Sequence, residues 1–198
     1  MEEFGVSRTV VREALRVLTT RGYIEHAPRH RPRVRTPGYG TAMAALEGVV
    51  GHLMARPDGM RELFEGRILV EVIAAREAAV RAEKADLALL HDALDANGAA
   101  TSNSELFYET DVAFHRALFQ AAGNAILPAV QDAYTAWLAP HWRKMPRLPD
   151  RNAANHADHR AILDGVMMRD PDATEVAMRQ HLDRAWAQVR MTFSDPPA

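Results

Sequence analysis

Asp111-Val-Ala-Phe-His115 places a carboxylate and an imidazole four residues apart. On a helix of about 3.6 residues per turn the two project from one face, one above the other. His159 and His181 lie on two later helical stretches that can converge on that face. One carboxylate and three imidazoles make a hard-to-borderline donor set suited to a divalent transition metal, with zinc, nickel and manganese all compatible. With neutral imidazoles, such a set leaves a divalent ion one net positive charge. In six-coordinate geometry it also leaves two positions for water or a bidentate carboxylate. A second reading stays open at this level. An Asp-x-x-x-His pair is also a local hydrogen bond, and a single helical His is most often a surface or hydrogen-bonded residue.

The rest of the composition narrows the field. The 198 residues include no cysteine, which excludes disulfides, thiolate zinc sites and a cysteine nucleophile. Any metal must then be held by His, Asp, Glu or water. No run of apolar residues is long enough for a transmembrane helix. The first residues, Met-Glu-Glu-Phe-Gly, lack the basic and apolar regions of a signal peptide. A cytoplasmic protein with no membrane partner is expected. The net charge of −2 hides an asymmetry. Residues 1–36 carry eight arginines against four glutamates, and the remainder carries 16 basic and 22 acidic groups. A basic head on an acidic body suggests that the head meets a polyanion.

Within that head, Ser7 can cap a helix whose apolar stripe is Val11, Leu15 and Leu18, with Val10, Ala14 and Val17 broadening it. Arg8, Thr9 and Arg12 fall in the first turns and can point outward, as a major-groove reader requires. Gly22 is placed to end the helix. Tyr23 to His26 and Arg33 to Arg35 read as two short strands around the tip Pro28-Arg29-His30-Arg31-Pro32. Ser7, Arg8, Thr9, Arg12, Arg29 and Arg31 are the candidate DNA contacts.

Beyond a linker at residues 37–41, every segment has helical period and none reads as a strand. One helix is expected from Ala42 to Ala55, broken by Pro57-Asp58-Gly59. A long helix follows from Met60 to Arg81, with Leu63, Phe64, Ile68, Leu69, Val72, Ile73 and Ala79 on its apolar side. Further helices are expected over Asp86 to Asn97, from about Ser104 through His115, from about Ala125 into the Tyr134–Trp142 region, from Arg151 to Met168 and from Asp172 to Phe193. The fold class is all-α: an antiparallel bundle of about six helices behind a partial winged helix-turn-helix with a two-stranded wing.

The order of residues in the head, Phe4-Gly5-Val6-Ser7-Arg8-Thr9, then Val11-Arg12-Glu13-Ala14-Leu15-Arg16, Leu18 and Gly22, resembles the winged helix-turn-helix of the GntR family of bacterial transcription regulators. Members usually carry about thirty further residues before this point, so the domain is expected to be partial, through a late-assigned start or a truncation. Their wing tip often holds glycine where this chain has Pro28 to Pro32. The body is similar to the FCD ligand-sensing domain of one branch of that family, through Glu65-Gly66-Arg67-Ile68-Leu69-Val70-Glu71, Asp111-Val112-Ala113-Phe114-His115-Arg116, Gly123-Asn124, His159-Arg160-Ala161-Ile162-Leu163 and His181-Leu182.

This resemblance implies two domains and a linker: residues 1–36 for DNA binding, 37–41 as linker, and 42–198 for ligand and metal. It implies that Asp111, His115, His159 and His181 ligate a divalent metal and that Arg67 meets an organic or sugar acid, with Asn124 at the pocket rim or capping a helix. A homodimer on double-stranded operator DNA, answering to a small carboxylate, is the expected assembly. The competing readings are a metal-dependent enzyme acting on small carboxylates and a sensor that no longer binds DNA.

Overall fold

The computed structural model describes residues 5–25, 31–146 and 148–193. The chain divides into two compact units, 1–49 and 50–198.

In the first unit, helix α1 (Arg8–Thr20) opens at Ser7, whose hydroxyl accepts from the Val10 N–H at 3.3 Å. It closes where Gly22 takes a positive φ of 75°, which lets the Tyr23 N–H reach the Leu18 carbonyl at 2.9 Å. The hairpin follows directly. Strands β1 (Ile24–Glu25) and β2 (Arg33–Val34) pair antiparallel, Ile24 opposite Val34. The ladder is shorter than the strand-like composition predicts, but the wing is present; His26 to His30 lie outside the described residues. Val11, Leu15 and Leu18 do share one face, but none is buried; among the described residues only Gly22 and Ile24 are buried in this unit. The helix expected from Ala42 to Ala55 is two helices, α2 (Tyr39–Ala44) and α3 (Glu47–Met54). The break at Ala45–Leu46 has no glycine or proline to announce it.

The second unit holds the six-helix bundle: α4 (Gly59–Arg81), α5 (Lys84–Ala99), α6 (Ser104–Ala121), α7 (Leu127–Trp142), α8 (Pro149–Met167) and α9 (Pro171–Phe193). Local chemistry sets the boundaries. Glu83 and Asp86 form a capping box at the start of α5. Asn103 caps α6 by accepting from the Glu105 and Leu106 amides. Asp170 does the same for α9 through the Asp172 and Ala173 amides. Helix α5 passes the expected end at Asn97 and runs through Gly98 to Ala99, and Pro140 lies within α7 two residues before its end. Arg169 holds a positive φ of 56° in the α8–α9 turn, and its guanidinium donates to the Ala79 and Ala82 carbonyls at the end of α4.

Helices α4 and α8 both pack along α9, and α5 packs along α6. Phe64, Phe114, Leu118, Ile162, Leu163, Met178 and Leu182 fill the centre. A run of alanines on α4 (Ala74, Ala75, Ala78, Ala79), all fully buried, lets its neighbours approach closely. The apolar side of α4 departs from the expectation at two positions. Leu69 and Ile73 are exposed, while the charged Arg67 and Glu71 are buried.

Leu90→Ala on α5 should cost about 2–5 kcal/mol of stability, since the side chain is fully buried. Its exposed neighbour Leu89→Ala should change stability by less than about 0.5 kcal/mol. Urea unfolding followed by circular dichroism measures both.

Candidate metal centre and adjoining cavity

Helix α6 supplies Asp111 and His115, α8 supplies His159 and α9 supplies His181. One ligand-type atom from each lies within 4.8 Å of all the others. The imidazole centroids are 5.2 Å (His115–His159), 5.3 Å (His115–His181) and 4.7 Å (His159–His181) apart. The local i,i+4 reading of Asp111 and His115 gives way to a contact across helices, with Asp111 Oδ1 at 3.4 Å from His159 Nε2. All three imidazoles are buried.

Each imidazole turns its Nδ1 toward a polar partner on another helix. His115 Nδ1 faces Glu71 Oε2 of α4. His159 Nδ1 lies 3.1 Å from Asn97 Oδ1 of α5, to which it can donate. His181 Nδ1 lies 3.4 Å from Asp158 Oδ2 of α8. A proton held at Nδ1 leaves the lone pair on Nε2, the tautomer a metal ligand needs. The Nε2 atoms of His115 and His159 are buried with no hydrogen-bond partner among the described residues. Leaving such atoms unsatisfied costs about 1–3 kcal/mol each, so the donor set fits a cation as its missing partner.

The electrostatics agree. Burial, then the other imidazoles, push His159 well below its ordinary pKa, and burial lowers His181 as well. Both are therefore neutral at pH 7. For His115 burial works the same way, but the adjacent Glu71 carboxylate outweighs it and raises the pKa. Burial opposes the charge on Glu71, yet Arg67 and His115 together keep it ionised.

The cluster opens on a cavity of about 510 Å³, with Arg67, Tyr108, Asp111, Trp142, Arg151 and His181 among its lining residues. Arg67 lies 4.8 Å from the Trp142 ring and 5.4 Å from the Phe64 ring, and its Nε donates to Glu71 Oε1. Glu71 therefore joins the cavity arginine to His115. The buried Tyr108 hydroxyl has no hydrogen-bond partner among the described residues, and burial together with the Asp111 charge pushes its pKa up to about 12. Protonated, it remains a donor, and Tyr108 is among the residues that line the cavity. The structure does not bring Asn124 there: it is exposed, and its Oδ1 accepts from the Ile126 amide at 3.0 Å.

Comparison with known proteins follows the same division of the chain. The FCD domain model matches residues 62–184, and the model for bacterial regulatory proteins of the gntR family matches residues 1–34. The HTH-type transcriptional repressor NanR of Citrobacter rodentium is 35% identical over 188 residues, covering 92% of this chain and 71% of that protein. NanR of Salmonella newport is 33% identical over the same shares. The chain belongs to the GntR family, FCD branch. A solved Streptococcus agalactiae GntR shares the fold with a TM-score of 0.59 at 22% identity, covering 93% of this chain and 83% of that one. Escherichia coli McbR/YncC does so with a TM-score of 0.64 at 17% identity, covering 97% and 84%.

This GntR chain is thus a transcription regulator, and an enzymatic role for its His/Asp cluster finds no support among its relatives. No helix among the described residues is long and apolar enough to cross a membrane. In the family's DNA-binding portion, Arg8, Thr9 and Arg12 are exposed on the first turns of α1, and Arg31 is exposed just before β2. Ser7 uses its hydroxyl to cap the helix, and Arg29 lies outside the described residues.

Sequence reasoning missed Glu71, Asn97, Asp158 and Tyr108. Glu71 had a signal in its Arg-x-x-x-Glu spacing from Arg67. Asn97 is the last residue of the expected helix, which in the structure runs on to Ala99. Glu71→Ala should cost about 3–5 kcal/mol in chelator-treated protein, because it strands the buried Arg67 charge. The double variant Arg67→Met/Glu71→Leu should recover most of that loss in urea unfolding, since an apolar pair of similar volume can replace a buried ion pair.

Proposed function

We propose that the chain is a metabolite-responsive transcriptional repressor, as its NanR relatives are transcriptional repressors. In this reading residues 1–36 read the operator, 37–41 link, and 42–198 sense. The regulator works in the cytoplasm as a homodimer, presenting two recognition helices to a pseudo-palindromic site. Asp111, His115, His159 and His181 hold a divalent metal, and Arg67 with the metal receives a small carboxylate in the adjoining cavity.

The observation that carries this reading is the convergence of buried, unpartnered imidazole nitrogens beside Asp111 at the wall of an arginine-lined cavity. When bound, the metal supplies a positive pole with exchangeable positions for an anionic ligand. The protein's own groups do the rest. Glu71, Asn97 and Asp158 fix the imidazoles, Arg67 offers fork geometry to a carboxylate, and the Tyr108 hydroxyl offers a further donor. Carboxylate binding changes operator affinity only as far as it favours one arrangement of the dimer over another.

His115→Ala and His181→Ala should each lose stoichiometric metal, by elemental analysis, with helical circular dichroism retained. Full metal retention in both would remove the site. A thermal-shift screen of hydroxy acids and sugar acids on metal-loaded protein should find a stabilising carboxylate, and Arg67→Met should abolish that shift. For the head, Arg12→Ala should weaken binding to an operator selected from random-sequence DNA by about 1–3 kcal/mol in a gel-shift assay. Unchanged affinity would rule that contact out.

A further inference from the structure

Asn97 is fully buried on α5, and its Oδ1 faces two imidazoles of α8. His159 Nδ1 lies 3.1 Å away and His156 Nδ1 3.3 Å. The nitrogen of the same amide donates to Thr110 Oγ1 at 3.2 Å. His156 reaches this position because Gly98 has no side chain: a Cβ there would stand 2.8 Å from His156 Cε1. On its outer side, His156 Nε2 lies 3.3 Å from Nη2 of Arg160, one turn further along α8 and exposed. A continuous chain of hydrogen bonds therefore runs from the surface to the buried His159. The Nε2 of His159 has no hydrogen-bond partner among the described residues.

Most members of this chain can reverse their direction. An imidazole carries its proton on either nitrogen, a primary amide exchanges its oxygen and nitrogen by a half-turn, and a hydroxyl donates or accepts. A guanidinium can only donate. Arg160 therefore requires a lone pair on His156 Nε2. Burial and then the Arg160 charge outweigh Asp95 and lower the pKa of His156, so its ring is neutral at pH 7. With Nε2 occupied by its lone pair, the one ring proton sits on Nδ1. That proton turns Asn97 Oδ1 toward α8, and Oδ1 in turn calls for the His159 proton on Nδ1. His159 Nε2 is left with its lone pair.

We propose that Arg160, acting through His156 and Asn97, dictates which nitrogen of His159 carries the proton and so keeps Nε2 open to a divalent cation. Arg160 and His156 are positioning residues. Their part in metal binding rests on the sensing reading; the position of the proton does not.

Arg160→Glu reverses the polarity at the surface end. At about pH 8.5, well above the ordinary imidazole range, the carboxylate draws the His156 proton to Nε2. The amide then turns over, and the His159 proton moves to Nε2 as well. Long-range nitrogen–proton spectra of metal-free protein with isotope-labelled histidine read this directly. His159 should be protonated on Nδ1 in the parent and in Arg160→Lys, and on Nε2 in Arg160→Glu. Nickel should bind Arg160→Glu about 10–100-fold more weakly, the usual effect of losing an outer partner of a ligand. A negative charge added near a cation site would by itself tighten binding, so the sign separates the relay from simple electrostatics. In a His156→Phe background the same substitution should no longer weaken nickel binding, because the link is cut. Helical circular dichroism should be unchanged throughout. A His159 proton that stays on Nδ1 in Arg160→Glu would overturn the proposal, as would nickel bound at least as tightly as by the parent. Should the parent bind no nickel, the metal reading fails and the proton position alone decides the relay.

Discussion

A buried imidazole has two nitrogens, and a helical core offers neither of them water. That constraint organises the bundle of this GntR regulator. His115, His159 and His181 project into the interior from α6, α8 and α9, and each finds its Nδ1 partner on α4, α5 or α8. Five of the six bundle helices are tied together through three rings. One donor atom of each ring and of Asp111 lie within 4.8 Å of one another, and the Nε2 atoms of His115 and His159 have no hydrogen-bond partner among the described residues. A core made only of leucine and alanine would be simpler to stabilise. This one accepts unpaired lone pairs at its centre, and such groups are most often retained for binding.

The partners themselves need partners. Glu71 is kept ionised by Arg67 on one oxygen and His115 on the other. Asp158 Oδ2 lies 3.4 Å from His181 Nδ1 and also accepts from Arg184 Nε at 2.9 Å, while its Oδ1 accepts from Arg184 Nη2. Asn97 accepts from His159, lies 3.3 Å from His156 Nδ1, and donates to Thr110 Oγ1, next in sequence to Asp111. The polar interior is thus a connected set in which most members have a fixed orientation. Under the proposed sensing function, a carboxylate would meet an arginine already held by Glu71, so little ordering entropy would be lost at that contact.

Much of this was legible in the sequence. The six bundle helices follow from apolar period and from proline, glycine and asparagine at their ends. The four clustered residues follow from helical spacing combined with family order. What escaped were features decided by helix crossing rather than by the helix itself. Asp158 adjoins His159 in sequence, yet it serves His181 on the next helix. Asn97 is the end of the helix expected from the sequence, but α5 runs on to Ala99 and buries it. Leu69 and Ile73 have the hydrophobicity of core residues, and period alone cannot say which of two apolar stripes meets the bundle. The apolar face of α1 illustrates the same limit: Leu15 and Leu18 align as anticipated, but alignment alone does not bury them.

Helix α4 carries two different kinds of residue back to back. Arg67 and Glu71 point into the cavity and the imidazole cluster, and Leu69 and Ile73, two positions further along, point out. A helix is a stiff rod, with no loop between these faces to absorb a displacement. Any rotation of α4 about its own axis would carry Arg67 and Glu71 on the inside and Leu69 and Ile73 on the outside through the same angle. The inner ion pair and the outer apolar stripe are therefore mechanically one part.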